Sequence, residues 1–177
     1  MTLYATRHGE TEWNALNKIS GVTDIELTGT GVAQAEAAAK EAEGRGINLI
    51  IASPMKRALT TAKIIAEHLG VPLETDPRLV EQNYGIYEGK DRRDPGFLAN
   101  KRQFATRYPG GESMMQLAAR VYPLLDEIKE KHADQTVLIV SHGGVSRVLR
   151  TYFTDMTNEE YFNYSLENCR IEEYHYE

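Results

Sequence analysis

The chain has 177 residues, with 20 Lys and Arg against 26 Asp and Glu, and its formal net charge is −6. This length is typical of one domain with one core. Nucleic-acid binding depends on an excess of basic side chains, so the acidic balance argues against that class of partner. The single cysteine, Cys169, excludes an internal disulfide and a cysteine-rich zinc site.

The N-terminus carries no pattern typical of a secretory signal, because its first residues lead directly into a polar motif. No apolar run is long enough to span a bilayer. We therefore expect a cytoplasmic protein with no membrane partner.

Short apolar runs alternate with longer helical patterns, which predicts an α/β fold. The predicted strands are residues 2–6, 48–52, 73–75, 136–140 and, at an edge of the sheet, 168–176. The predicted helices are residues 31–43 after Thr28, 54–69 with Ser53-Pro54 as its cap, 112–132 around Pro123, and 144–154. We expect a three-layer sandwich in which helices flank a central, mostly parallel sheet.

Residues 78–111 are charged and irregular in pattern, and the turn sequence Tyr108-Pro109-Gly110-Gly111 marks their end. We interpret the part at about 90–111 as a cap or lid. Residues 1–177 are then expected to form a single domain that carries this cap.

Two histidines follow predicted strands that lie far apart in the chain. Arg7-His8 comes after the first strand, and His142-Gly143 comes after the fourth. The carboxyl ends of strands in an open α/β sheet form the crevice that binds ligands. The sequence therefore predicts an active site that contains both histidines.

Five blocks of residues, in order along almost the whole chain, resemble the histidine phosphatase superfamily, which includes the cofactor-dependent phosphoglycerate mutases. The blocks are residues 3–14 with 20–21 and 27–28, residues 53–62, residues 78–89, residues 110–113, and residues 141–144. The resemblance implies a phosphoglycerate mutase-like fold.

The resemblance and the chemistry of phosphomonoesters assign the same catalytic roles. A neutral imidazole on His8 would attack phosphorus, and Arg7 beside it would lower the pKa of that imidazole. The side chains of Arg57 and His142 would bind phosphoryl oxygens, Arg57 in a bidentate manner. The resemblance places Glu81 as the general acid and then the base, and Glu10 is the rival carboxylate.

Further residues are candidates for substrate contact. The resemblance implies such contacts for Asn14, Ser20, Gly21 and Gly143. The cap also carries basic side chains that could bind a second anionic group, unless Asp91 and Asp94 neutralise them. These residues are Lys90, Arg92, Arg93, Lys101, Arg102 and Arg107.

The sequence predicts a phosphatase that hydrolyses small phosphomonoesters through a phosphohistidine, with no metal and no cofactor. Its expected partners are a small phosphorylated substrate or inorganic phosphate. The first alternative is a mutase, which would need a cap that excludes water. The cap is brief here, and this favours hydrolysis. The second alternative is a non-catalytic module that binds phosphate.

Overall fold

The computed structural model describes residues 1–177 and contains a five-stranded sheet. The strands are β1 (Thr2–Arg7), β2 (Leu49–Ala52), β3 (Leu73–Thr75), β4 (Val137–Ser141) and β5 (Ile171–His175). Their order is β3-β2-β4-β1-β5. All pairs are parallel except β1 with β5, which lies antiparallel at the edge. The predicted α/β class with a mostly parallel sheet is confirmed.

Helices cover both faces of the sheet. They are α1 (Glu12–Ala15), α2 (Gly29–Glu41), α3 (Lys56–Leu69), α4 (Pro95–Lys101), α5 (Met114–Lys131), α6 (Gly143–Phe153) and α7 (Asn158–Asn163). Alternate side chains of β4 point to opposite faces. Val137 and Ile139 belong to a core cluster with α5 and α6, whereas Leu138 and Val140 pack with α2 and α3. Every residue of β4 is buried, as its apolar sequence predicts. None of the helices combines the length and the apolar character needed to cross a membrane.

The register of β1 against β4 positions the two histidines. Arg7 lies opposite Ser141 at the carboxyl ends of these neighbouring strands. The His8 amide then donates to the Ser141 carbonyl at 3.0 Å, which continues the pairing past the strand end. His8 and His142 therefore leave the sheet side by side, as the sequence predicts.

The start of α3 differs from the prediction. This helix begins at Lys56, and its N-cap, Met55, makes no side-chain capping bond. The expectations that Ser53-Pro54 caps this helix and that Pro54 opens it are wrong. The Ser53 hydroxyl accepts the Met55 amide at 3.3 Å in a local turn, and its other partner is His142. A tertiary contact therefore uses the hydroxyl that the sequence assigned to capping.

The predicted irregular segment contains regular structure. Short 3₁₀ turns occupy Pro77–Leu79 and Gly85–Tyr87, and α4 follows after Asp94. The Asp94 carboxylate accepts the Phe97 amide at 3.0 Å, and Pro95 provides the first helical residue. Phe97 packs in a cluster with three side chains from neighbouring loops. These are Ile19, Tyr84 and Tyr108. The cluster packs α4 against both ends of the segment and, through Ile19, against the loop after α1.

Candidate active site

The hydrogen bonds of His8 define its tautomer. Its Nδ1 lies 2.7 Å from the Gly9 carbonyl oxygen, which can only accept, so Nδ1 carries the proton. Arg57 Nε, which can only donate, lies 3.3 Å from His8 Nε2. Nε2 therefore presents a lone pair. Burial lowers the pKa of His8 well below its usual value, and the Arg7 and Arg57 charges lower it further. Arg7 acts in the predicted direction, but burial is the larger cause.

His142 lies beside His8, with a ring-centroid distance of 5.3 Å. Its Nε2 is 2.8 Å from the Ser53 hydroxyl oxygen. The hydroxyl accepts the Met55 amide and can at the same time donate to Nε2, and we assign its proton to that bond. The proton of the neutral ring is then on Nδ1, which is buried and has no partner. Burial, followed by the Arg57 charge, lowers the pKa of His142 well below its usual value.

Backbone carbonyls hold the two arginines. Arg57 is completely buried, and its Nη1 and Nη2 donate to the carbonyls of Thr23 at 2.9 Å and Gly21 at 2.7 Å. Arg7 Nη1 donates to the Leu166 carbonyl at 3.1 Å, and its Nε has no partner. Carbonyls orient the guanidinium groups without cancelling their charge. The predicted bidentate binding of a phosphoryl group by Arg57 would have to use the second N–H of Nη1 and of Nη2, because the other N–H groups already donate.

The Glu81 side chain is buried at the N-terminus of α6. Its Oε1 accepts the Gln82 amide at 2.7 Å, and its Oε2 accepts the Gly144 amide at 3.0 Å. The rival carboxylate, Glu10, instead accepts the Thr28 hydroxyl at 2.9 Å beside the start of α2. The structure therefore brings Glu81, and not Glu10, to the cavity described next.

A cavity of about 100 Å³ opens above the strand ends. Six residues that the sequence predicted as site or cap candidates line it, namely Arg7, Ser20, Glu81, Arg92, Lys101 and Gly143. The side chains of His8, Arg57 and His142 are almost fully buried and do not line it. Arg7 Nε, Ser20 Oγ and His142 Nδ1 are buried without a partner. Unpaired buried polar atoms are costly, and an oxyanion would satisfy such donors.

Two predicted contact residues do not line the cavity. Asn14 Oδ1 accepts the Thr11 amide at 3.1 Å in the capping box of α1, and Asn168 Nδ2 lies 3.5 Å from the same oxygen. Gly21 uses its carbonyl to hold Arg57. In this structure Asn14 stabilises the start of α1, and Gly21 orients Arg57.

Sequence reasoning missed three residues of the site. Ser53 bonds to His142, and Asn168 Nδ2 donates to the His8 carbonyl at 2.7 Å. Arg147 lines the cavity from α6. The signal for Arg147 was present, because it follows Gly143 by four residues and such pairs share a helix face. Asn168 had no local signal.

Comparisons with known proteins agree on the family. The model of the histidine phosphatase superfamily (branch 1) matches residues 3–177. A Yersinia pestis protein named "Probable phosphoglycerate mutase GpmB" is 35% identical over 184 positions, which cover 100% of this chain and 86% of that protein.

Solved structures extend this similarity. A mycobacterial glucosyl-3-phosphoglycerate phosphatase is 29% identical with a TM-score of 0.87, over 97% of this chain and 90% of that one. A phosphoserine phosphatase variant from Entamoeba histolytica, in complex with phosphoserine, is 29% identical with a TM-score of 0.86, over 97% and 89% of the two chains.

The contact between Gly144 and Glu81 leads to a stability prediction. A Cβ at Gly144 would lie 2.5 Å from Glu81 Oε1 and 2.8 Å from the Tyr84 hydroxyl. Gly144→Ala is expected to lower the free energy of unfolding by about 1–3 kcal/mol, because buried groups must move. Gly143→Ala is the matched control, since its Cβ meets nothing closer than Arg7 Nε at 3.8 Å. Denaturant titration of both variants tests this. Equal losses would show that the contact does not constrain the site.

The buried histidines predict a pH dependence of stability. Their folded-state pKa values lie below the unfolded value of about 6.5, so below that pH the unfolded chain binds more protons than the folded one. The free energy of unfolding should therefore fall as the pH drops from about 6.5 to 5, by up to about 1.4 kcal/mol per pH unit for each histidine.

Urea titrations across this pH range measure the slope. His142→Gln should make the slope shallower. The exposed His68, which pairs with Glu43, provides the control variant His68→Gln, which keeps both buried rings. An unchanged slope in His142→Gln would contradict the assignment.

Proposed function

This chain belongs to the histidine phosphatase superfamily, and on that premise we propose that it hydrolyses small phosphomonoesters through a covalent phosphohistidine on His8. The observation that carries the proposal is the fixed tautomer of His8. Its Nδ1 proton is held by the Gly9 carbonyl, and its Nε2 lone pair lies at the Arg57 guanidinium. A nucleophile next to an anion-binding cation is the arrangement that phosphoryl transfer requires.

In the first step, His8 Nε2 attacks phosphorus and the bond to the leaving alkoxide breaks. The charge on the phosphoryl oxygens is stabilised by Arg7, Arg57 and the Nδ1–H of His142. Glu81 gives its proton to the leaving oxygen. The bond from Arg57 Nε to His8 Nε2 is replaced as the phosphoryl group enters.

In the second step, water attacks the phosphohistidine and Glu81 takes the proton from that water. The phosphorus–nitrogen bond breaks, and inorganic phosphate and neutral His8 are regenerated. All these residues belong to the chain, so the proposed cycle uses no metal and no cofactor.

Water access favours hydrolysis over transfer to a second substrate. The cavity is lined in part by Ser165, which is exposed to solvent. We propose that residues 90–111 form the cap of a single domain spanning residues 1–177, and α4 supplies only seven helical residues to it. The mutase is the second candidate, and the name of the Yersinia relative supports it.

The first experiment measures hydrolysis of 4-nitrophenyl phosphate with EDTA present, together with acid-quench trapping of the phosphoenzyme. Turnover and an acid-labile phosphoenzyme are expected in the wild type, and both should be lost in His8→Ala. Loss of activity on adding EDTA would contradict the metal-free proposal. The same protein is then assayed with 2- and 3-phosphoglycerate. Interconversion of the two phosphoglycerates far above their hydrolysis would support the mutase. Phosphate binding without turnover of any of these esters would support the non-catalytic module.

Glu81→Gln separates the acid role from a structural one. An alkoxide needs a proton to leave, whereas 4-nitrophenolate does not. The parameter kcat/KM covers the chemistry up to departure of the leaving group. The variant should lose about 10²-fold or more in kcat/KM for an alkyl phosphate and much less for 4-nitrophenyl phosphate. Equal losses for both esters would assign Glu81 to positioning alone.

A further inference from the structure

The side chain of Glu88 binds the loop that joins α1 to α2, residues 16–28. Glu88 directly follows the 3₁₀ turn at Gly85–Tyr87 and is half-buried. Its Oε1 accepts two hydrogen bonds from one loop residue, the Thr23 amide at 2.8 Å and the Thr23 hydroxyl at 2.7 Å. Hydrogen bonds to a carboxylate are stronger than those between neutral groups. Glu88 therefore fixes both the backbone and the side chain of Thr23.

Thr23 connects Glu88 to the nucleophile. Its carbonyl accepts Arg57 Nη1 at 2.9 Å, and the Gly21 carbonyl accepts Arg57 Nη2 at 2.7 Å. Arg57 Nε then donates to His8 Nε2 at 3.3 Å. A continuous path of contacts thus runs from the Glu88 carboxylate through Thr23 and Arg57 to the imidazole that would attack phosphorus.

The second loop residue that holds Arg57 packs against the same carboxyl group. A Cβ at Gly21 would lie 2.9 Å from Glu88 Cδ and 3.0 Å from Glu88 Oε2, and it would lie 2.7 Å from the Gln82 carbonyl oxygen. Only glycine allows the loop to approach Glu88 so closely. Both carbonyls that orient Arg57 therefore belong to residues that lie against Glu88.

Glu88 also places a negative charge near Arg57 without occupying its N–H groups. Burial lowers the pKa of Arg57, and the charges of Glu81, Asp24 and Glu88 oppose this shift. Glu88 acts from behind the Thr23 carbonyl, because its hydrogen bonds go to Thr23 and not to the guanidinium. It stabilises the buried cation and leaves the remaining N–H groups of Arg57 available to an oxyanion.

We propose that Glu88 is a positioning residue for phosphoryl transfer, because its bonds to Thr23 hold the loop whose carbonyls orient Arg57 against His8. Glu88 does not line the cavity, so it acts on the reaction through Arg57. The effect on turnover rests on the proposed function. The effect on the contact between Arg57 and His8 does not, because that contact is present without a substrate.

Two substitutions of Glu88 separate its hydrogen bonds from the rest of the side chain. Glu88→Ala removes both bonds to Thr23 and should lower kcat/KM for 4-nitrophenyl phosphate by about 10- to 100-fold, because Arg57 is no longer held in place. Glu88→Gln keeps an acceptor oxygen for Thr23 and should stay within about threefold of the wild type. Equal losses in the two variants would overturn the proposal.

Glu172→Ala is the matched control for loss of a half-buried carboxylate. Glu172 accepts the hydroxyls of Tyr164 and Tyr174 and does not line the cavity. Its removal should lower the free energy of unfolding and keep the wild-type kcat/KM of the folded protein. A loss of kcat/KM as large as that of Glu88→Ala would assign both losses to destabilisation and contradict the positioning role.

Thr23→Val tests the same path from the loop. The variant loses the hydroxyl that bonds to Glu88 and keeps the amide, so kcat/KM should fall by about three- to tenfold. Combined with Glu88→Ala it should cause no further loss, because the hydroxyl acts through Glu88. An unchanged kcat/KM in Thr23→Val would overturn the proposal, whether or not Glu88→Ala folds.

The imidazole of His8 provides a readout that needs no substrate. In protein labelled with nitrogen-15 histidine, the NMR signal of His8 Nε2 reports the hydrogen bond from Arg57, and its absence from His8→Ala assigns it. Glu88→Ala should shift this signal, because Arg57 is released, whereas Glu88→Gln and Glu172→Ala should leave it in place. An unshifted signal in Glu88→Ala would contradict the proposed path.

The two proposals fail separately. Hydrolysis that depends on His8 but not on Glu88, with an unshifted His8 signal, would leave the phosphatase intact and exclude the positioning role. A His8 signal that shifts in Glu88→Ala, in a protein that hydrolyses none of the esters, would keep the link from Glu88 to His8 and exclude the phosphatase.

Discussion

A completely buried guanidinium connects the parts of this site. Arg57 donates to the carbonyls of Gly21 and Thr23 and to His8 Nε2. The first two bonds tie the loop after α1 to the start of α3, and the third fixes the imidazole that follows β1. Transfer of a cation from water into a protein interior is costly unless hydrogen bonds compensate. The three acceptors supply that compensation and leave the charge available to an anion.

The same choice of partners recurs around the site. Carbonyls or hydroxyls, not carboxylates, orient Arg7, Arg57 and His142. A carboxylate in direct contact with these groups would repel a phosphoryl group and would favour protonated imidazoles. Burial, followed by the Arg7 and Arg57 charges, lowers the pKa of His8, and this keeps its imidazole neutral. Glu81 is the one carboxylic acid that lines the cavity, and its partners are two backbone amides instead of these cations.

The sequence predicted the parts of the fold that depend on local pattern. The apolar run of β4 and the short run of β1 identified two buried strands, and the rule for parallel sheets then placed His8 near His142. Glycine and proline signals located most helix ends within a few residues. The short helices α1, α4 and α7 were missed, because four to seven residues are too few to establish a helical period.

Tertiary contacts caused the other differences. Ser53 has the composition of a capping residue, and only the approach of His142 directs its hydroxyl elsewhere. The Asn168 contact with His8 joins residues 160 positions apart, which no local pattern encodes. Asn14 matched the resemblance, but its side-chain oxygen completes a capping box instead of lining the cavity. The sequence shows that these three residues are polar, but their hydrogen-bond partners depend on the tertiary structure.

Burial separates the residues of the proposed phosphoryl-transfer site from most of the residues that line the cavity. His8, Arg57 and His142 are fixed by the carboxyl ends of the buried strands and by the first turn of α3, where any shift disturbs the sheet core. Arg92 and Lys101 lie instead on a turn and a seven-residue helix, and that helix packs against the loop after α1 through the Phe97 cluster. Substitutions there reach the cavity without altering β1 or β4. A framework of this kind can keep the residues around His8 in place while the cavity lining changes, because the two depend on different elements.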